Sequence, residues 1–304
     1  MKIAYAFRRT AFYPYQGGTG WEIPPPEVRG RYLRKVREIG FEGIEIGLGQ
    51  GVGRDERSVR ELRAELEASG VPCAAVRGGG GFSSPRVAAP NRQRLLDAIQ
   101  MAGWIGAGIV NMSIGVPTGN PPGELGGGVG GRVSPGGSRT ATEADYALTA
   151  RYIRECADVA AAQGITISIE LHQHSIADNS WSCLHLLELI DRPNVGVNPD
   201  LGNLLWNYET PDETGAACIV ALASKAKYWH CKQLRRLPIP ELQRAYYHPV
   251  PLPDGEIDYR FAITAMRDAG YDGYLAIEGV RDGDQLLNDG RSVAYCKQIL
   301  AELD

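Results

Sequence analysis

The 304-residue chain lacks the cysteine pairs, the basic charge and the long apolar runs that mark several classes of protein. Its six cysteines are scattered without a CxxC pair, which favours reduced thiols over a disulfide framework or a thiolate metal site. Lysine and arginine total 32 against 36 aspartate and glutamate residues, so the charge does not predict nucleic-acid binding. No apolar window approaches the roughly 18 residues of a membrane span, and the first apolar segment is too short for a secretory signal. We therefore expect a soluble, cytoplasmic protein with neither a nucleic-acid nor a membrane partner.

Short apolar segments alternate with helical patterns along the whole chain. The predicted strands are bounded by turn residues and cover residues 2–6, 41–49, 72–78, 109–115, 165–171, 195–200, 226–233 and 273–279. A helical pattern follows each of them, and eight strand-helix units in about 300 residues match the count and size of a (β/α)8 barrel. We therefore predict an α/β fold with a single (β/α)8 TIM barrel domain over residues 1–304. A doubly wound open sheet is the alternative.

Two connections between the predicted elements are long. Residues 116–140 follow the fourth strand and are rich in glycine and proline, and residues 234–255 follow the seventh. Because such barrels place their active sites at the carboxyl ends of the strands, both loops are expected on the active-site face, as a lid or a wall. For residues 116–140 an unstructured insertion is equally compatible with the composition. The run GGGGFSSP (78–85) lacks the Lys-Ser/Thr ending of a phosphate-binding P-loop, so it predicts no phosphate site.

The last four predicted strands each end in a side chain of the metal-binding type. In chain order these side chains are Glu170, Asp200, His230 and Glu278. Taken singly, Asp200 could be a helix cap, His230 a core histidine and Glu278 a solvated strand end. Together they lie at matching ends of four successive strands, where three buried carboxylates without a cation would repel one another. Two Glu, one Asp and one His suit a divalent cation such as Mn²⁺, Mg²⁺ or Co²⁺ better than a thiolate site would.

The segment ISIELHQHS (167–175) places two histidines at the same alternation as Glu170. If the strand continues that far, His172 and His174 face the barrel mouth. His172 is then predicted to bind the substrate or to act as an auxiliary acid or base. His174 is predicted either to bind the substrate or to orient a metal ligand. Lys232, two residues after His230, is predicted to bind the substrate or to neutralise an oxyanion.

Five segments carry a family resemblance, namely FEGIEIGLG, ISIELHQH, NVGVNPDLGN, YWHCKQ and PLPDGEIDYRFAITAMRDAGYDGYLAIEG. They resemble the sugar phosphate isomerase/epimerase superfamily, the xylose isomerase-like TIM barrels. The resemblance covers nearly the whole chain and is most specific over residues 165–279. It implies one divalent metal ion, Mn²⁺ first and Mg²⁺, Co²⁺ or Zn²⁺ otherwise, bound by Glu170, Asp200, His230 and Glu278.

The resemblance also implies a reaction. A proton is removed next to the carbonyl of a sugar, keto-sugar or cyclitol, with an enediolate as intermediate and with Glu170 and Glu278 as base and acid. Two departures leave the reaction open: Asn203 stands where epimerases of the family commonly have His, and Gln233 where many have Asp. Asn203 is accordingly expected to bind the substrate. The alternative is a metal-dependent lyase or dehydratase that eliminates across a keto-sugar, keto-glycoside or inosose.

Three other classes fit the sequence less well. An amidohydrolase carries its HxH on the first barrel strand, whereas here HQH lies on the fifth. A DNA-repair endonuclease with several zinc ions would need more than the five histidines present, and also a basic face. A sugar-binding protein without activity would not need four intact ligand positions. The expected partner is a small carbohydrate, while phosphorylation of that substrate and assembly into a homo-oligomer remain open.

Overall fold

The computed structural model describes residues 1–48, 55–83, 85–115 and 137–303. Its main sheet contains eight parallel strands. These are β1 (Lys2–Tyr5), β2 (Gly43–Gly47), β3 (Cys73–Arg77), β4 (Ile109–Ser113), β5 (Thr166–Glu170), β6 (Val195–Asn198), β7 (Trp229–Cys231) and β8 (Tyr274–Ile277). The order of pairing is β6-β5-β4-β3-β2-β1-β8-β7. A parallel bridge between Val197 and Ala226 joins the two ends of this order, so the sheet is a nearly closed barrel and the predicted fold is confirmed.

Helices follow the barrel strands along the chain and cover the outside of the barrel. They are α1 (Pro26–Ile39), α2 (Glu56–Ala68), α3 (Pro85–Ile105), α4 (Glu143–Ala161), α5 (Ser180–Ile190), α6 (Leu201–Leu205), α7 (Gly215–Leu222), α8 (Tyr259–Asp268) and α9 (Gln285–Leu303). None of them, in the described part of the chain, is long and apolar enough to cross a membrane.

Side chains alternate between two environments along the barrel strands. On β1, Ile3 and Tyr5 belong to the large core between strands and helices, whereas Ala4 belongs to a smaller cluster of mostly small residues. On β2, Ile44 and Ile46 belong to the large core, so Glu45 between them points into the barrel. The same alternation places the side chains that form the site described below inside the barrel mouth.

The segment after β7 is not the loop that the sequence predicted. Residues Gln233–Ile239 and Arg244–Val250 form an antiparallel hairpin. Leu234, Ala245 and Tyr247 of this hairpin bury their side chains against Trp206, which gives the hairpin a small apolar cluster of its own. Such a cluster stabilises the strand pairing that the prolines of the segment disfavour.

The predicted lid at residues 116–140 lies mostly outside the described residues. Of that range the structure describes Gly137–Thr140, which forms one turn of 3-10 helix before α4. The lid therefore stays a prediction.

Candidate metal centre

The four strand-end side chains named from the sequence lie together. Each offers one ligand-type atom, these atoms lie within 4.8 Å of one another, and we call the group the candidate ligand cluster: Glu170, Asp200, His230 and Glu278. Glu170 is the last residue of β5 and His230 the middle residue of β7. Asp200 is the second residue after β6, and Glu278 is the first residue after β8. The fold thus brings the carboxyl ends of four successive strands to one point at the barrel mouth.

The His230 ring is held from one side and presents a free nitrogen to the cluster. Its Nε2 lies 2.7 Å from Glu45 Oε2, which assigns the proton to Nε2. Its Nδ1 lies 3.1 Å from Glu278 Oε1 and has no hydrogen-bond partner among the described residues. A lone pair that faces carboxylate oxygens fits a cation between them, with Glu45 in the orienting role that carboxylates take behind metal-bound histidines.

Positively charged neighbours and burial shift the pKa values of the carboxylates in the cluster in opposite directions. Burial raises the pKa of Asp200 to about 7, against the positive charge of Lys232. Burial acts in the same direction on Glu170, but Arg77 and His230 hold the pKa of that carboxyl well below its usual range. For His230, burial opposes protonation, but the neighbouring carboxylates raise its pKa well above the ordinary value, so a cation at Nδ1 would take the place of a second ring proton. Three carboxylates and one imidazole form a donor set that a divalent cation with oxygen and nitrogen ligands would fit.

Asp200 uses its two oxygens differently. Oδ1 accepts hydrogen bonds from the backbone N–H groups of Gly202, at 2.9 Å, and Asn203, at 3.4 Å, and so caps α6. Oδ2 lies 2.9 Å from Lys232 Nζ. The helix cap and the site residue, which the sequence offered as alternatives, are thus one side chain.

Asn203 touches the ligand cluster rather than open space. Its Nδ2 donates to Glu170 Oε1 at 2.9 Å, to Asp200 Oδ2 at 3.0 Å and to the Leu171 carbonyl at 2.8 Å. These contacts fix the orientation of two carboxylates. The geometry gives Asn203 an orienting role, and the substrate contact expected from the sequence stays a prediction.

Lys232 bridges two members of the cluster. Its Nζ lies 2.9 Å from both Asp200 Oδ2 and Glu278 Oε2, and 5.9 Å from the centre of the Trp206 ring. Burial opposes its charge, but the carboxylates Asp200 and Glu278 raise the pKa of Lys232 above its usual value. Gly202 makes room for this side chain, because a Cβ at that position would lie 2.2 Å from Lys232 Cγ. The ammonium group is therefore a fixed, charged donor at the site.

The two histidines after Glu170 do not continue the strand. β5 ends at Glu170, so His172 and His174 lie in the segment that follows it, and the condition for placing them by strand alternation is not met. Their roles stay predictions. His174 is buried and adopts a positive φ of 60°. His172 still lies near the cluster, since burial lowers its pKa while the charge of Glu170 opposes that shift.

Sequence reasoning did not identify Arg77, Trp21 and Glu45. Arg77 Nη1 binds Glu170 Oε2 at 2.6 Å and lies 3.9 Å from Glu45 Oε1. The Arg77 guanidinium also covers the Trp21 ring at 4.4 Å, and Trp21 stacks on the His230 ring at 5.7 Å with the two planes 11° apart. The alternation of β2 was a signal for Glu45, and the end of β3 was one for Arg77. Trp21 lies outside the barrel strands and gave no signal.

A polar bridge crosses the barrel behind the cluster. Asn198 Oδ1 accepts a hydrogen bond from the His230 backbone N–H at 2.6 Å, and Asn198 Nδ2 donates to Asn111 Oδ1 at 3.1 Å. Asn111 Nδ2 in turn lies 3.4 Å from Glu45 Oε1. These side chains connect β7, β6, β4 and β2 through the interior, and they satisfy polar groups that burial would otherwise leave unpaired.

Comparison with known proteins agrees with the barrel fold. A model of the family described as xylose isomerase-like TIM barrel matches residues 33–298. A xylose isomerase-like TIM barrel protein from Mycobacterium smegmatis, solved in complex with magnesium, is 24% identical with a TM-score of 0.74, over 99% of this chain and 97% of that one. An L-ribulose 3-epimerase is 17% identical with a TM-score of 0.72, over 99% and 95%. The mannonate dehydratase from Streptococcus suis serotype 2 is 14% identical with a TM-score of 0.70, over 99% and 93%. Comparison with curated proteins gives no match.

Proposed function

The chain belongs to the xylose isomerase-like TIM barrel family, and from this we propose that it is a divalent-metal-dependent isomerase or epimerase. Its substrate would be a sugar, keto-sugar or cyclitol. The observation that carries the proposal is the candidate ligand cluster, whose ligand-type atoms lie within 4.8 Å of one another at the ends of successive strands. Mn²⁺ is the cation we expect, with Mg²⁺, Co²⁺ and Zn²⁺ as the others that this donor set accepts.

The residues of the cluster suit the removal and return of a proton. A bound divalent cation supplies a Lewis acid, which acidifies the carbon next to a substrate carbonyl. Although burial opposes it, Arg77 keeps the pKa of Glu170 low, and Lys232 does the same for Glu278, so both carboxylates are ionised and able to accept a proton. One of them takes the proton and the other returns it in the proposed reaction. Lys232 Nζ is the donor placed to neutralise negative charge that develops on a substrate oxygen.

A metal-dependent lyase or dehydratase is the second candidate. It begins with the same proton removal and then expels a substituent from the neighbouring carbon. His172 would take part in it as an acceptor, because its Nδ1 donates to the Gln173 carbonyl at 3.0 Å and burial lowers the pKa of the ring, which leaves Nε2 without a proton near Glu170. The similar structures include dehydratases as well as epimerases.

Isotope incorporation separates the two reactions. The Mn²⁺-loaded protein is incubated in D₂O with candidate keto-sugars, and the recovered compounds are analysed by NMR and mass spectrometry. We expect deuterium in a recovered isomer, whereas an unsaturated product that lacks the β oxygen would establish the lyase instead. Glu170→Gln should abolish either reaction. Glu61→Gln, a change of the same type on exposed α2, is the matched control and should retain it.

A further inference from the structure

A cavity of about 220 Å³ opens beside the candidate ligand cluster, where β2, β3 and β4 end. Its lining includes Trp21, Arg77, Gly78, Gly79, Arg94 and Ser113. We call it the Arg94 cavity. None of the proposed steps uses it, although it is large enough to hold several non-hydrogen atoms of a ligand.

The Arg94 cavity shares walls with the ligand cluster. Arg77 lines the cavity and also binds Glu170 Oε2 at 2.6 Å. Ser113, on β4, is the register partner of Glu170 on β5. Trp21 lines the cavity and stacks on the His230 ring. A single small ligand can therefore occupy the cavity at one end and the cluster at the other.

The charges of the two neighbouring regions differ in sign. Arg77 is matched by two carboxylates, those of Glu170 at 2.6 Å and Glu45 at 3.9 Å. Arg94 reaches the same cavity from α3, and within the described residues it makes neither an ion pair nor a hydrogen bond to another side chain. No acidic residue is among those that line the cavity in the part of the chain that the structure describes. The cavity thus has a surplus positive charge, whereas the cluster is rich in carboxylates.

The glycines after β3 give the cavity a wall of bare backbone. A Cβ on Gly78 would lie 2.4 Å from Ala98 Cβ, so only glycine allows the chain to run this close to α3. Gly79 has a φ of 93°, in the left-handed region that favours glycine. Peptide groups without side chains can approach a ligand closely and can donate to an anion. This wall uses part of the glycine run to which the sequence alone assigned no function.

We infer that the Arg94 cavity binds an anionic group of the substrate, a carboxylate or a phosphate ester, at the end remote from the ligand cluster. This inference rests on the proposed function, which assigns the reacting end of the substrate to the ligand cluster. It narrows the substrate class to sugar acids and sugar phosphates. The guanidinium of Arg94 is suited to either group, because its planar set of donors matches both carboxylate and phosphate oxygens.

Anion binding tests the inference without any assay of turnover. Inorganic phosphate and glycolate are titrated by calorimetry into the metal-loaded full chain, and again after dialysis against a chelator, which separates binding at the cavity from binding to the cation. Arg94→Gln is compared with Arg92→Gln, which removes the same charge from α3 where Arg92 instead pairs with Glu155 at 2.8 Å.

We expect saturable binding of one anion, about tenfold weaker in Arg94→Gln and unchanged in Arg92→Gln. Tighter binding of phosphate would identify a phosphate ester, and tighter binding of glycolate a sugar acid. Absence of saturable binding, or equal affinity in the two variants, would overturn the inference. Failure of the proposed function is seen separately, as absence of deuterium incorporation from D₂O.

Discussion

Strands β5 to β8 and strands β1 to β4 contribute different kinds of side chain to the same site. Strands β5 to β8 supply the candidate ligand cluster, whose members lie within two residues of the strand ends. Strands β1 to β4 supply Glu45 and Asn111 from within β2 and β4, and Arg77 from the last position of β3. Trp21, from the segment after β1, joins them. None of these four residues is part of the cluster, but each contacts a member of it or a residue that does.

The difference shows how the work of one site is divided around a barrel. Side chains beyond a strand end can approach a common ligand, because they extend above the close-packed interior. Glu45 and Asn111, which lie within their strands, contact His230 instead, and so they fix orientation and charge. Substitutions in the two halves should therefore differ in kind as well as in size.

The largest effect is expected in the ligand half. Asp200→Asn should lower the affinity for Mn²⁺ by more than about a hundredfold, because it removes a charged ligand while its remaining oxygen can still cap α6. Metal content after gel filtration and calorimetric titration measure the change. Asp200→Ala is the companion variant, which should lose the metal equally and also about 1 kcal/mol of stability, since the cap is gone. Full metal occupancy in both variants would disprove the assignment.

A second test changes the ligand half without removing a ligand. Lys232→Met should lower kcat about a hundredfold while metal content stays near that of the wild type, because a fixed donor to the developing negative charge is lost. Lys225→Met, at an exposed position, is the control and should leave kcat unchanged. If Lys232→Met lost the metal instead, Lys232 would serve to hold Asp200 and Glu278 in place.

The contrast between the halves also explains what could be predicted from sequence. The cluster was predictable because Glu170 and Asp200 each end an apolar alternation, His230 lies one residue before the end of β7, and the strand ends of a parallel barrel meet. Glu45 follows the same alternation within β2. Its partner could not be predicted, because a residue inside a strand faces neighbours that depend on the stagger of the strands around the barrel. Trp21 lies outside the barrel strands and has no periodic pattern.

The hairpin after β7, where the sequence predicted a loop, could not be predicted for a different reason. Prolines at positions 238, 240, 249 and 251 read as breaks in a strand. The burial of Leu234 and Tyr247 against Trp206 outweighs this local signal. Trp206 is distant in sequence from both, so the pairing is a tertiary effect.

A third prediction concerns the supporting half. Glu45→Gln should weaken Mn²⁺ binding about tenfold, because Gln can still accept the hydrogen bond from His230 Nε2 but no longer contributes the negative charge that strengthens His230 as a ligand. Glu61→Gln is again the matched surface control. An effect as large as that of Asp200→Asn would show that the two halves of the mouth do not divide the work as described.

The smallest effect on metal affinity is expected at the seam where the halves meet, between β1 and β8. Asp289 of α9 is buried there, and it accepts hydrogen bonds from the Tyr5 hydroxyl at 2.5 Å and the Val280 N–H at 3.0 Å. Burial raises the pKa of Asp289 to about 7. Because the folded state holds this proton more tightly than the unfolded chain, the stability from Asp289 is present below about pH 4 and is lost as the pH rises to about 7.

Asp289→Asn should remove that dependence. Urea unfolding at pH 5.0, 6.0 and 7.5 compares the slope of the free energy of unfolding against pH in the variant and the wild type. Between pH 5.0 and 7.5 the free energy of unfolding of the wild type should fall by on the order of 3 kcal/mol more than that of the variant. Identical slopes would show that Asp289 is ionised in the folded protein across the range. Metal affinity should not change, since Asp289 makes no contact with the ligand cluster in the described residues.

The polar bridge behind the cluster affects how β6 and β7 separate during local opening of the barrel. β6 and β7 are the two ends of the strand order, and the backbone joins them where Lys227 N–H donates to Val197 O at 3.0 Å. Three residues further on, the His230 amide binds the Asn198 side chain instead of a backbone carbonyl. The Asn198 side chain thus holds β6 and β7 together near Asp200 and His230. Hydrogen exchange at the His230 amide would report each opening of that gap, and with it each moment at which two members of the cluster move apart.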